Sequence, residues 1–202
     1  MHRTIISSAL AVVATLVLTS GAFAQGHNHG AMSMPSANTK AKPSTFVTPP
    51  AFKSQLDSVY IDYLSLQSSL SGDEFKSVKP NAQALVRSLG KVDMKLLTDG
   101  KTHMAWMEVS KSLAQLAWQV AETPDIESAR TAFRALSEAV ITTAKQFGAP
   151  DITLYVFHCP MALNKTGADW VQAEKTTKNP YFGKTMLTCG KITETFVGGN
   201  VR

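Results

Sequence analysis

From Phe52 onward the apolar positions of the chain recur at alternating gaps of four and three residues. Phe52, Leu56, Val59, Tyr63, Leu66 and Leu70 form one such series. Phe75, Val78, Ala82, Leu85, Leu89, Val92 and Leu96 form a second, and Trp106, Val109, Leu113, Leu116 and Val120 a third. The fourth runs through Ile126, Ala129, Phe133, Leu136, Val140 and Phe147, with Thr143 filling its gap. That spacing puts one apolar stripe on each of four helices. Ser71-Gly72-Asp73, Asp99-Gly100, Thr123-Pro124 and Gly148-Ala149-Pro150 punctuate the series. Thr123 as cap with Pro124 in the first turn predicts a helix start. Pro80 lies inside the second series, so that helix begins there or kinks. Four amphipathic segments with short connections predict a mainly α fold, an antiparallel four-helix bundle.

After Gly148 the period changes to two. Ile152, Leu154 and Val156 alternate with Thr153, Tyr155 and Phe157 and predict a strand that delivers His158 and Cys159 at its end. Residues 167–176 read as a short helix or irregular turn, and Asn179-Pro180-Tyr181-Phe182-Gly183 as turn chemistry. Lys191 to Val197 suits a second short strand pairing with the first. The expected architecture is therefore the bundle with a small irregular, two-stranded C-terminal cap.

The first fifty residues follow neither pattern. Met1-His2-Arg3 opens a mostly apolar run from Ile5 to Leu18, followed by Ala22-Phe23-Ala24, the form of an export signal cleaved after Ala24. The expected organisation is a leader over 1–24, a disordered polar tail over 25–50 and a helical metal-binding domain over 51–197. The expected location is the periplasm, with no membrane insertion after cleavage, because the apolar run is short for a membrane span. The net charge is +5, and +4 once the leader carrying Arg3 is removed. The basic residues are scattered without a run of five, which argues against nucleic acid binding.

Both cysteines lie late in the chain, each with a methionine nearby: Cys159 with Met161, and Cys189 with Met186. Thiolate and thioether sulfur are soft ligands that favour Cu(I) over hard cations. The two pairs read as halves of one sulfur site. In an oxidising compartment the same cysteines also suit a disulfide. Its loop of about 30 residues would contribute roughly 3–4 kcal/mol in the chain-entropy view. His103 is a further ligand candidate, because an up-down bundle starts its third helix at the end where the fourth finishes. His158 is weaker, since neighbours on a strand point to opposite faces. In the tail, a cleaved chain would carry His27 at its third position, where amine, amide and imidazole nitrogens suit Cu(II) or Ni(II) in a square plane. His29, Met32 and Met34 add donors.

His158-Cys159-Pro160-Met161, Gly167-Ala168-Asp169-Trp170, Asn179-Pro180-Tyr181-Phe182-Gly183 and Met186-Leu187-Thr188-Cys189-Gly190 resemble the signature of an exported bacterial domain of unknown function. That domain also occurs at the C-terminus of CusB-type adaptor subunits of heavy-metal efflux pumps. The resemblance covers about residues 52–195 and extends to His103 and Trp106. It implies handling of copper or a related heavy metal.

The expected function is that of a copper-binding protein for sequestration or hand-over, with a periplasmic efflux component or metallochaperone as partner. The alternative is an interaction module stapled by a disulfide, with no metal site of its own. An enzyme is not expected. The chain shows no paired carboxylates in a plausible cleft, no Ser/His/Asp arrangement, and neither Cys-x-x-Cys nor Cys-x-x-Cys-His. A copper electron carrier would need a β-sandwich with two histidines and a cysteine on neighbouring loops, which a helical chain does not offer.

Overall fold

The computed structural model describes residues 45–197. The leader, His27 and His29 lie outside the described residues. Four long helices come first: α1 (Pro50–Ser71), α2 (Phe75–Leu89), α3 (Gly100–Ala121) and α4 (Ile126–Phe147). A three-stranded antiparallel sheet follows, formed by β1 (Leu154–Cys159), β2 (Ala168–Gln172) and β3 (Lys191–Phe196) in the order β2-β1-β3. The protein is mainly α with a small C-terminal sheet. Among the described residues no helix is long and apolar enough to cross a membrane.

Most positions of each apolar series are buried. Phe52, Leu56, Val59, Tyr63, Leu66 and Leu70 of α1 are buried, as are Ala129, Phe133, Leu136, Val140 and Phe147 of α4. α1 starts at Pro50, where the missing N–H is no loss. The packed chain begins earlier than the expected boundary at residue 50. Thr45 and Phe46 donate backbone bonds to the Lys145 and Gln146 carbonyls, and the Thr48 hydroxyl donates to the Phe147 carbonyl. These bonds satisfy groups that the end of a helix otherwise leaves without partners.

Three local expectations need correction. α2 begins at Phe75 and runs through Pro80, then stops at Leu89, so Val92 and Leu96 belong to the connection, where Met94–Leu96 form a single 3-10 turn. The cap of α4 is Asp125, whose carboxylate accepts the Ser128 N–H at 2.7 Å, and not Thr123. The Thr123 hydroxyl instead donates back to the Val120 carbonyl. Residues 168–172 form a strand, so the cap has three strands and not two. What decides this is pairing: Phe157 faces Trp170, His158 faces Asp169 and Cys159 faces Ala168. On its other side β1 pairs with β3, with a bulge between Val156 and Phe157.

Two polar devices dock the cap on the helices. The Tyr63 hydroxyl bonds the Ser137 hydroxyl at 2.6 Å and accepts the Val171 N–H at 3.1 Å, joining α1, α4 and β2. Arg130 of α4 is buried, and donates to the carbonyls of Pro180 and Leu70 and to the carboxylates of Asp73 and Glu127. Asp73 in turn accepts the Lys184 N–H. That bond, with the Arg130 guanidinium beside it, holds the Asp73 carboxyl below the usual range. The loop over 180–184 is thereby tied to the junction of α1 and α2.

Candidate metal centre

Cys159 closes β1 on the buried face of the sheet, where Phe157 also points. Its neighbour His158 projects to the other side and is half-exposed, the consequence of a strand that continues through both residues. The connection from β1 to β2 is an eight-residue turn (160–167) in which Leu163, Asn164 and Lys165 all have positive φ. Three successive left-handed residues without glycine are costly. Bonds from Lys165 N–H to the Met161 carbonyl and from Gly167 N–H to the Ala162 carbonyl close the turn on itself. The turn places the Met161 backbone near Cys189, where its N–H favours the thiolate form.

Cys189 arrives from a different part of the chain, held by a hydrogen-bonded loop. Its N–H donates to the Met186 carbonyl at 3.1 Å, and its carbonyl accepts the Asn179 side-chain amide at 2.7 Å. Asn179 is wholly buried and uses every group it has. Its side-chain oxygen accepts the Tyr181 N–H, its own N–H bonds the Leu187 carbonyl, and its carbonyl accepts the Gly183 N–H. Gly190 then turns away at φ 144°, and a Cβ there would stand 2.5 Å from the Trp170 ring. Close approach to an aromatic wall, together with that φ, is what requires glycine.

The two cysteines come together: the Cys159 and Cys189 thiols are close enough to influence each other electrostatically and are not bridged. Burial pushes the Cys189 thiol up to about 11, the neighbouring Cys159 adds to the shift, and the Met161 N–H opposes it. A thiol so placed keeps its proton at neutral pH unless a cation displaces it. Around the pair stands an aromatic wall. Trp170 stacks on Phe157 at 5.3 Å and meets Tyr181 edge-on at 6.0 Å, and the Tyr181 hydroxyl donates to the Asp169 carbonyl. The Trp170 indole N–H goes to Gln172, which is buried and also accepts the Lys178 N–H.

The remaining sequence-predicted residues fall as follows. Met161 and Met186 are on the two segments that carry the cysteines, and are 41% and 40% exposed. Neither fills the core. His103 is elsewhere. Its ring bonds the Met94 carbonyl at 3.1 Å, and Trp106, one turn on, packs edge-on against Phe52 and Phe147 at 5.1 and 5.3 Å. Cys189 hangs on Asn179, beside Lys178, whose carbonyl takes the Gln67 amide. Phe52 and Gln67 lie fifteen residues apart on α1, about 22 Å along the axis. The expectation that His103 reaches the cysteines placed Cys159 close to the end of α4 and did not allow for the direction of the strand between them. β1 starts near the end of α4 but runs back along the helices, carrying Cys159 away by roughly 20 Å. His158 donates from Nδ1 toward the Asp169 carboxylate at 2.7 Å, on the outer face of the sheet.

Among the described residues no three of His, Cys, Asp and Glu converge as a metal-holding group. The donor set at the cysteines is two thiols with thioether neighbours, chemistry suited to a low-coordinate soft ion and unsuited to Zn²⁺ or Ca²⁺. Asn179 and Gln172, which tie the loop to β2, were legible in the sequence only as parts of a turn and of a short helix or irregular turn.

Comparison with known proteins adds one finding. A family model described as a protein of unknown function (DUF3347) matches residues 59–151. No curated protein and no solved structure matches the chain. The matched segment runs from within α1 to the connection after α4, so both cysteines lie outside it, and over those helices the chain is similar to that family of unknown function.

Proposed function

We propose that this chain is an exported copper-binding protein, holding Cu(I) as cargo between Cys159 and Cys189 for sequestration or hand-over to an efflux component. The observation that carries the reading is the convergence of the two thiols from segments thirty residues apart, with no bridge between them. Two thiolates in near-linear arrangement satisfy a d¹⁰ ion, and Met161 and Met186 supply thioethers at the rim. The exposure of those methionines supports this role, because a methionine serving only as packing would be buried. Trp170, Phe157 and Tyr181 keep the inner side dry, which strengthens the metal–sulfur bonds and slows oxidation.

The helices supply a rigid support, and we read them as an antiparallel four-helix bundle that closes through α1 and α4. The resemblance of the 158–190 segment to domains of CusB-type adaptors supports a place in heavy-metal efflux. An export leader ending at Ala24 and a Cu(II) site around His27 and His29 complete the reading.

Titration of Cu(I) into the reduced full chain against a chromophoric competitor tests it. One tight equivalent is expected, lost in Cys159→Ser, Cys189→Ser protein. Tight binding that survives the double substitution overturns the reading.

A second reading rests on the same contact. Thiols this close join readily on oxidation, which would staple β1 to the 186–190 loop and make the cap a protein-docking element with no metal role. Thiol counting on chain isolated from the oxidising compartment separates the two. Two free thiols, or two thiols released from metal, support the copper site, and none supports the staple.

A further inference from the structure

The five methionines among the described residues are Met94, Met104, Met107, Met161 and Met186, and their exposures run from 40% to 57%. Methionine is normally among the more buried residue types. Two of the five flank the cysteines. The other three stand together at the opposite end of α1, around His103. Met107 follows His103 by four residues on α3, so the two side chains are neighbours one turn apart, and Met104 lies three residues before Met107. Met94 sits on the 3-10 turn before α3, and its carbonyl is 3.1 Å from the His103 Nδ1.

That last contact determines the state of the ring. A carbonyl only accepts, so Nδ1 carries the proton, and in the neutral imidazole the lone pair stands on Nε2. A metal-ligating histidine is held in this way, with its other nitrogen donating to a backbone carbonyl or carboxylate. Beneath it the helix start is fixed. The Asp99 carboxylate accepts both the N–H and the hydroxyl of Thr102, and the Asp99 carbonyl accepts the His103 N–H. Trp106, wedged against Phe52 and Phe147, anchors the same turn from the buried side. An oriented imidazole thus shares this end of the molecule with three methionines that the core does not use.

We propose that His103 Nε2, Met107 and Met94, with Met104 at the rim, form a second soft-metal site for Cu(I) or Ag(I), separate from the cysteine pair. All its donors are neutral, so it binds more weakly than two thiolates and needs no proton released from sulfur. It suits a position of entry or exchange, from which a monovalent soft ion passes on. The inference stands on the exposed methionines and the His103–Met94 contact, and does not depend on the reading of Cys159 and Cys189.

The test is a titration of Ag(I), a redox-inert d¹⁰ ion, into the reduced full chain, with the methionine ε-methyl groups and the histidine ring nitrogens followed by NMR. The Met94 and Met107 methyls and His103 Nε2 are expected to shift together with one saturation point, while Nδ1 stays protonated. His103→Gln, and separately Met107→Leu, which keeps the apolar volume, should each weaken that shared response. The loss should be at least about tenfold, the scale seen when even an outer partner of a ligand is lost. Methyls of Met94 and Met107 that stay still throughout, or respond unchanged in folded His103→Gln protein, overturn the proposal. The cysteine site reports separately, through the Met161 and Met186 methyls and ultraviolet thiolate absorption, so either site can fail without the other.

Discussion

Cys189 shows how one side chain is set by what surrounds it. Its thiol is raised to about 11 by burial first and by the Cys159 thiol second. At any pH below that value a cation entering the site must displace the Cys189 proton, so binding is coupled to proton release. The apparent Cu(I) affinity should therefore fall by about tenfold per pH unit on acidification for this one proton. Competition titrations at pH 6 and pH 8 measure it, and a flat profile would exclude thiolate ligation at Cys189. The site at His103 behaves differently, because no sulfur there releases a proton. The two sites are thus separable by pH as well as by substitution.

At the scale of elements, the sheet is attached to the helices by a few polar contacts that a hydrophobic pattern does not announce. Arg130 joins α4 to two loops by donating to the Leu70 and Pro180 carbonyls, and its guanidinium also meets Asp73 and Glu127. Replacing it by methionine keeps much of the volume but leaves two carbonyls without their donor and Asp73 without its cation. The cost should be about 2–4 kcal/mol, the sum of unmade bonds to buried acceptors. Urea unfolding of Arg130→Met chain measures it, and an unchanged midpoint would show that the clamp adds nothing. Gly183 makes the same junction sensitive from the other side, since any Cβ there would collide with Asp73 and Arg130. The bearing on the cysteine pair is direct, because Asn179, which bonds the Cys189 carbonyl, immediately precedes Pro180.

Across the whole molecule, several buried groups hold protons that the unfolded chain would release. Burial raises the phenols of Tyr60, Tyr63 and Tyr181, and the Cys189 thiol is raised from 9.0 to about 11. Each of these groups favours its neutral form in the folded state. Above about pH 9 the unfolded state therefore binds fewer protons than the folded one, and the slope of stability with pH is negative. Stability fully present below pH 9 should decline as pH rises through 9 to 11. Urea midpoints of metal-free, reduced chain at pH 8, 9 and 10 test this, and a midpoint constant across that range would contradict it.

The four helices were legible in the sequence because burial of one helical face needs only a local rhythm of apolar residues, and that rhythm survives without knowledge of any partner. The pairing of cysteines with methionines offers candidate soft-ligand chemistry at the same local level, as a property of residue type and spacing. Placement was not local. β2 became a strand because β1 offered it a partner, and α4 took Asp125 as its cap because that carboxylate, and not Thr123, reached the Ser128 N–H. His103 was assigned to the cysteines from helix order alone, and only the return of β1 along the helices separated them. A periodic pattern encodes which face is buried. Which ends meet is decided by pairing, caps and a buried arginine, whose energies depend on partners far away in the chain.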